Sequence, residues 1–177
     1  MFDNRINIRP LAASDWKLAA EIYQEGLDTG NSSFTQFAPA SWEEWTEHKL
    51  ADCRLAAMLD GQLAGWAMLS PVFSRAYYRG VTELSIYVGA SAHGHGIGSA
   101  LMDAMIKESE AKGIWMLQSL VFPENAASMH LHLKHGFKLM CVHERMGFMT
   151  FGPYAGLWRD VALLERRSKI AGMGKNE

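Results

Sequence analysis

One stretch constrains the fold of this chain more than any other. Leu84-Ser85-Ile86-Tyr87-Val88 reads as a strand, Gly89 to His93 as a turn, and Gly94-His95-Gly96-Ile97-Gly98-Ser99 as the start of a helix. Glycines let the backbone take positive φ and approach a ligand closely. The free N–H groups of a helix start face such a turn, and the helix dipole adds partial positive charge. The succession makes either an anion site suited to a pyrophosphate or a tight structural turn. It is not a P-loop, because no Gly-Lys-Ser/Thr closes it. It fits a dinucleotide fold badly as well. That fingerprint wants an N-terminal βαβ unit with an acidic residue about 20 positions on, and this loop lies mid-chain behind a run of strands.

The periodicity on either side completes an outline. Arg5 to Arg9 alternates as a short strand interrupted by Pro10. Ser14 is a candidate helix N-cap, and Trp16, Ala20, Tyr23 and Leu27 fall on one helical face. Thr29 to Ser33 is a polar loop. Ser41 and Glu44 have capping-box spacing and open a helix through about Leu50. Arg54 to Leu59 and Leu63 to Leu69 flank Asp60-Gly61, a hairpin turn. Val81 to Val88 is a third strand, and Ile97 to Lys112 a helix closed by Gly113. Strand Trp115 to Phe122, helix Asn125 to His135, and strands Phe137 to Cys141 and Leu157 to Leu164 follow. This order predicts an α/β (α+β) domain whose single sheet is mixed and mostly antiparallel. The 177 residues fit one domain, over 1–167, with a polar tail over 168–177.

Composition narrows the function. A net charge of −2 with 49% hydrophobic residues excludes a disordered chain and argues against a nucleic-acid binder. The charge is uneven: residues 1–60 carry five Lys/Arg against ten Asp/Glu, and the rest carry twelve against nine. The longest apolar run, Leu63 to Leu69, is far short of the roughly 20 residues of a membrane span. Cys53 and Cys141 are too few for a disulfide framework and read as buried free thiols. With no signal peptide at Met1-Phe2-Asp3-Asn4-Arg5, the expected location is the cytoplasm. His130, His132 and His135 cluster on one short helix. His130 and His135 lie about 140° apart around it, and no carboxylate or cysteine joins them at ligand spacing. No metal site is expected, and His130 and His135 read as surface residues.

The glycine loop, read as His93-Gly94-His95-Gly96-Ile97-Gly98, resembles the Arg/Gln-x-x-Gly-x-Gly/Ala motif of the GNAT superfamily of N-acetyltransferases. Trp115 to Phe122, the segment from Asn125 to Ser128 and Gly136-Phe137 stand where that family has its other landmarks, so the resemblance covers roughly residues 5–165. His93 departs from the usual Arg or Gln. The stretches Arg75 to Arg79, Glu83 to Val88, Leu131-His132 and Gly156 to Val161 are similar to phosphinothricin and methionine sulfone/sulfoximine acetyltransferases.

The resemblance implies acetyl-CoA as cosubstrate, a small-molecule amine acceptor, direct transfer in a ternary complex, and a homodimer. Cofactor contacts fall on Ile86, Tyr87 and Val88, on Gly94, His95, Gly96, Ile97, Gly98 and Ser99, and on Asn125 and Ser128. Glu83 becomes the general base that neutralises the acceptor ammonium; without the resemblance it reads more readily as a solvated residue on the polar face of an amphipathic strand. His132 becomes a general acid or base. Arg75, Tyr78 and Arg79 suit an acceptor carboxylate or phosphinate, and Phe34 a pocket wall. Other acceptors remain open: a protein N-terminus, a lysine, a polyamine or an antibiotic amine. So does a non-catalytic acetyl-CoA-binding module.

Overall fold

The computed structural model of the protein describes residues 5–174. Seven strands form one sheet in the order β1-β2-β3-β4-β5-β7-β6. They are β1 Ile6–Pro10, β2 Arg54–Leu59, β3 Gln62–Pro71, β4 Val81–Val88, β5 Met116–Val121, β6 Lys138–Phe148 and β7 Trp158–Arg167. Four α-helices flank the sheet: α1 Trp16–Asp28, α2 Trp42–Thr46, α3 Ile97–Ala111 and α4 Ala126–Lys134. Every neighbouring pair is antiparallel except β4–β5, which is parallel. The mixed, mostly antiparallel sheet and the order of elements match the expectation.

Local chemistry explains the boundaries. Asp60 and Gly61 take φ of 50° and 83°, as a two-residue turn with both centres left-handed requires. Ser41 Oγ accepts the Glu44 N–H at 3.2 Å, while the Glu44 carboxylate accepts from Ala40 N–H at 2.8 Å. The second helix nevertheless ends at Thr46 rather than near Leu50, because Leu50 N–H donates to Leu69 O of β3 at 2.8 Å instead of to Thr46 O, and Arg54 bonds the carbonyls of Thr46 and Lys49 (3.1 and 2.9 Å). Ser14 does not cap α1. It lies in a single 3₁₀ turn closed by Asp15, whose carboxylate accepts from Ala12 N–H and pairs with Arg9 at 2.7 Å. Strands β6 and β7 run longer than their sequence patterns suggest. Strand β6 is almost wholly exposed, so no alternation of inside and outside residues marks its length.

Each face of the sheet carries its own core. Helix α3 packs Ile97, Leu101, Met102 and Met105 over Leu55, Ala57, Ala67, Leu69 and Leu84. The other face holds Trp45, Trp66 and Met68 beneath α1, with Tyr23 and Tyr87 packed against them. Gly65 makes the close approach of α3 possible: a Cβ there would stand 2.8 Å from the carbonyl oxygen of Tyr87 and 3.0 Å from Ile97. Alternation along β4 therefore points Leu84, Ile86 and Val88 toward α3 and Tyr87 toward α1.

The two cysteines do not share an environment. Cys53 is 1% exposed just ahead of β2, and burial pushes its thiol up to about 11. Cys141 is exposed on β6, contrary to the expectation of two buried thiols, because no element covers that side of β6. An alkylating reagent at mildly alkaline pH is expected to label Cys141 alone in the folded protein and both thiols after denaturation; intact mass reads the number. After β7 the chain stays packed through Gly172. Ser168 Oγ donates to Glu110 at 2.9 Å, and Gly172 lies against the Trp115 ring. Among the described residues no helix is long and apolar enough to cross a membrane.

Candidate active site

Parallel strands β4 and β5 pair only over Val81–Glu83 and Met116–Gln118. Beyond that point they separate. Leu84 to Val88 pair with Leu69 to Gly65 on the β3 side and have no strand partner on the other. The result is a fork whose open edge presents backbone N–H and C=O groups, a template for an added extended chain.

The glycine turn lies at the wide end of this fork. Gly94 and Gly96 have φ of 81° and 83°, with nothing within 4 Å of where their Cβ atoms would stand. The first intrahelical bond of α3 runs from Ala100 N–H to Gly96 O, so Ile97, Gly98 and Ser99 keep N–H groups without a helical acceptor. This open, left-handed cradle fits a phosphate group. The turn itself has no Lys or Arg, but α4 supplies a cation: Lys134 Nζ donates to Ser99 Oγ at 3.3 Å. His93 turns back onto the Val88 carbonyl at 3.1 Å, and His95 is exposed.

At the narrow end stands Glu83, partly buried, opposite Ser70 on β3 and Gln118 on β5. Lys49 donates to Ser70 Oγ at 2.8 Å, and burial lowers its pKa against the opposing pull of Glu83. Beside them opens a cavity of about 460 Å³, walled by Leu50, Val72 and Phe73 with Glu47, His48, Lys49, Ser70 and Ser74 as polar lining. The ring of Tyr78 packs on Phe73 at 4.7 Å. Arg75 and Arg79 part company: Arg75 bonds the Tyr77 hydroxyl at 2.7 Å, while Arg79 lies over the Trp115 ring at 5.7 Å. The Tyr87 ring stacks on Trp66; burial first, and the Glu83 charge to a lesser degree, raise its pKa.

Asn125 and Ser128 serve α4 first. Asn125 Oδ1 accepts Ser128 N–H at 3.1 Å as the helix cap, and Asn125 Nδ2 donates to Asn31 O at 2.9 Å. Phe34 sits T-shaped on Phe122 and against Gly147, so its ring anchors the 29–34 loop. His135 is not a surface residue. Its side chain is 8% exposed and held by Asp103 at 2.8 Å and Ser99 at 3.2 Å, because α4 docks on the start of α3. His130 is exposed, and among the described residues no group of three or more His, Cys, Asp or Glu could hold a metal.

His132 is 2% exposed. Its Nδ1 lies 2.8 Å from Ser128 O and its Nε2 2.9 Å from Ser119 Oγ. Burial lowers its pKa below the ordinary 6.5, and the Ser128 carbonyl only partly offsets this. A depressed histidine binds fewer protons folded than unfolded, so its contribution to stability is full above about pH 6.5 and is lost as pH falls through the folded value. Denaturant titrations from pH 7.5 to 5 are expected to show this loss in the native protein and a flatter profile in His132→Phe.

Two residues that sequence reasoning passed over complete the site. Ser119 occupies an inward position of β5 between buried Leu117 and Val121, and a polar residue inside an apolar alternation was the available signal. Arg159 on β7 is 3% exposed. It donates to Gly30 O at 3.0 Å and Asn31 Oδ1 at 2.9 Å, pairs with Glu124 at 3.3 Å, and lies 4.0 Å from the ring centres of both Phe122 and Tyr154. Its Nε is buried without a partner.

Residues 16–137 match the model described as the acetyltransferase (GNAT) family. The chain is 29% identical over 165 residues to phosphinothricin N-acetyltransferase of Alcaligenes faecalis, covering 90% of this chain and 81% of that protein. It is 29% identical over 105 residues to the L-methionine sulfoximine/L-methionine sulfone acetyltransferase of Pseudomonas aeruginosa, covering 59% and 58%. The crystal structure of a GNAT superfamily phosphinothricin acetyltransferase from Sinorhizobium meliloti in complex with AcCoA superposes with a TM-score of 0.83 at 25% identity, covering 97% of this chain and 92% of that one.

Proposed function

The chain belongs to the acetyltransferase (GNAT) family, and on that premise we propose that it acetylates the amine of a small amino-acid-like acceptor, of the phosphinothricin, methionine sulfone or methionine sulfoximine type, by direct transfer from acetyl-CoA in a ternary complex. The fork carries this reading. Its open edge at Ile86, Tyr87 and Val88 offers backbone partners to an extended pantetheine arm, and the cradle from Gly94 to Ser99 lies where the arm's pyrophosphate would end. Lys134 adds the charge that the cradle lacks. Acetyl-CoA supplies an activated acyl group.

The residues of the chain do the rest. Glu83 takes a proton from the acceptor ammonium, since only the neutral amine is nucleophilic. A backbone N–H of β4 polarises the thioester carbonyl. The cavity beside Glu83 holds the acceptor, with Lys49 facing its acidic group and Phe73, backed by the Tyr78 ring, its apolar part. No thiol is set beside Glu83 for an acyl-enzyme: Cys53 feels Glu108 and Lys112, and Cys141 meets His143 on the outer strand. A cytoplasmic homodimer belongs to this reading. Exposed Met140, Val142, Met146, Phe148 and Trp158 on β6 and β7 supply an apolar surface for it.

Thiol release from acetyl-CoA with a panel of amines tests the proposal. Release is expected with amino-acid sulfones, sulfoximines and phosphinothricin. Release only with peptides or polyamines would reassign the acceptor. Tight acetyl-CoA binding with no release for any amine would leave a cofactor-binding module.

A further inference from the structure

Ser119 lies at the vertex of the fork. Its Oγ is 2.9 Å from His132 Nε2 and 3.3 Å from the carbonyl of Leu84, the first β4 residue past the last β4–β5 pair. Ser119 and His132 are each 2% exposed. Their partners fix the protons. Ser128 O can only accept, so the imidazole hydrogen sits on Nδ1 and Nε2 is a bare acceptor. Ser119 has one hydroxyl hydrogen, and it goes to Nε2 rather than to Leu84 O. A hydroxyl bonded to a base that a third group orients is the arrangement used to move protons at reacting centres. Two other groups bear on the imidazole, the Ser128 hydroxyl at 3.4 Å from Nδ1 and His135, whose charge disfavours imidazolium; the Phe137 ring closes one side at 4.9 Å.

We propose that Ser119 and His132 form a proton relay at the fork, in which histidine takes a proton and returns it through the serine hydroxyl. The proposal rests on the amine acetylation proposed above. Glu83 removes the first proton of the ammonium. As the N–C bond forms, a second amine proton passes to Ser119 Oγ while the serine's own proton passes to His132 Nε2. As the C–S bond breaks, its electron pair stays on sulfur. Nε2 then returns its proton to Ser119 Oγ, and the serine hydrogen goes to sulfur. The amide and the free thiol leave with serine and histidine unchanged. The Ser128 carbonyl steadies the transient imidazolium, and burial keeps it short-lived. Histidine then acts as base and acid in one cycle, with the hydroxyl rather than the imidazole meeting the reacting atoms.

Two measurements test this. Nitrogen-15 NMR of His132 in the free protein is expected to show the Nδ1–H tautomer near neutral pH; the Nε2–H tautomer would overturn the relay. Ser119→Ala removes a single heavy atom, so it should fold. It is expected to slow single-turnover acetyl transfer at least about tenfold and to leave acetyl-CoA affinity within about twofold, with part of the rate restored in Ser119→Thr. Wild-type turnover that survives Ser119→Ala at every pH would overturn the relay alone. Wild-type protein that acetylates no amine would overturn the relay together with the acetylation reading.

Discussion

Glu83→Gln is expected to lower amine-acetylation turnover by about 10²- to 10⁴-fold, the range that a positioned general base supplies. The change keeps the length and shape of the side chain. The register of β4 against Ser70 and Gln118 should therefore survive, as should the open edge from Leu84 to Val88. Only the capacity to take a proton is lost. Acetyl-CoA affinity is expected to stay within about twofold, because the cradle from Gly94 to Ser99 and Lys134 lie at the other end of the fork. The lost rate should return in part at high pH, where the free amine no longer needs a base. Unchanged turnover in the Gln variant would remove Glu83 from the chemistry and turn attention to Lys49.

Arg159→Met is expected to destabilise the protein by about 2–4 kcal/mol, read as a lower denaturant midpoint. Charge-assisted hydrogen bonds are worth about 1.5–3 kcal/mol each, and cation–π contacts up to about 2 when desolvated. Methionine fills much of the space between Phe122 and Tyr154, but it leaves Gly30 O and Asn31 Oδ1 without their donor. Glu124, 56% exposed, returns to water at little cost. The damage should spread along one path. Asn31 also holds Asn125, which caps α4. The variant is therefore expected to raise the acetyl-CoA KM about tenfold, because α4 carries Lys134 to Ser99 at the cradle. A midpoint and KM within error of the wild type would show that the 29–34 loop holds its shape without this cation.

Much of the fold was legible because its signals are local. The Asp60-Gly61 turn, the Ser41–Glu44 cap, the Val81–Val88 strand and the Ile97 start of α3 each rest on residues next to one another in sequence. What the sequence hid depends on contacts between distant segments. The bond from Leu50 N–H to Leu69 O on β3 ends α2 early, and β6 carries no inside–outside rhythm because both its faces are largely exposed. The site divides the same way. Glycine turn and Glu83 are readable in one stretch. The position of Lys134 at Ser99, the clamp of Arg159 on Gly30 and the Ser119–His132 pair join residues 35, 129 and 13 positions apart. The surplus of Lys and Arg over acids after residue 60 says little about the proposed anion site, which is one ammonium from α4 and a row of backbone N–H groups that a charge count does not register.

The fork itself can be tested directly by following backbone amides in a titration of the protein with acetyl-CoA. The expected result is large shifts at Ile86 to Val88 along β4 and at Gly94 to Ser99 at the start of α3, with the amides of β1 and β6 nearly unmoved. Saturable binding that leaves both of those segments unperturbed, or no binding at all, would contradict the assignment of the fork as the acetyl-transfer site.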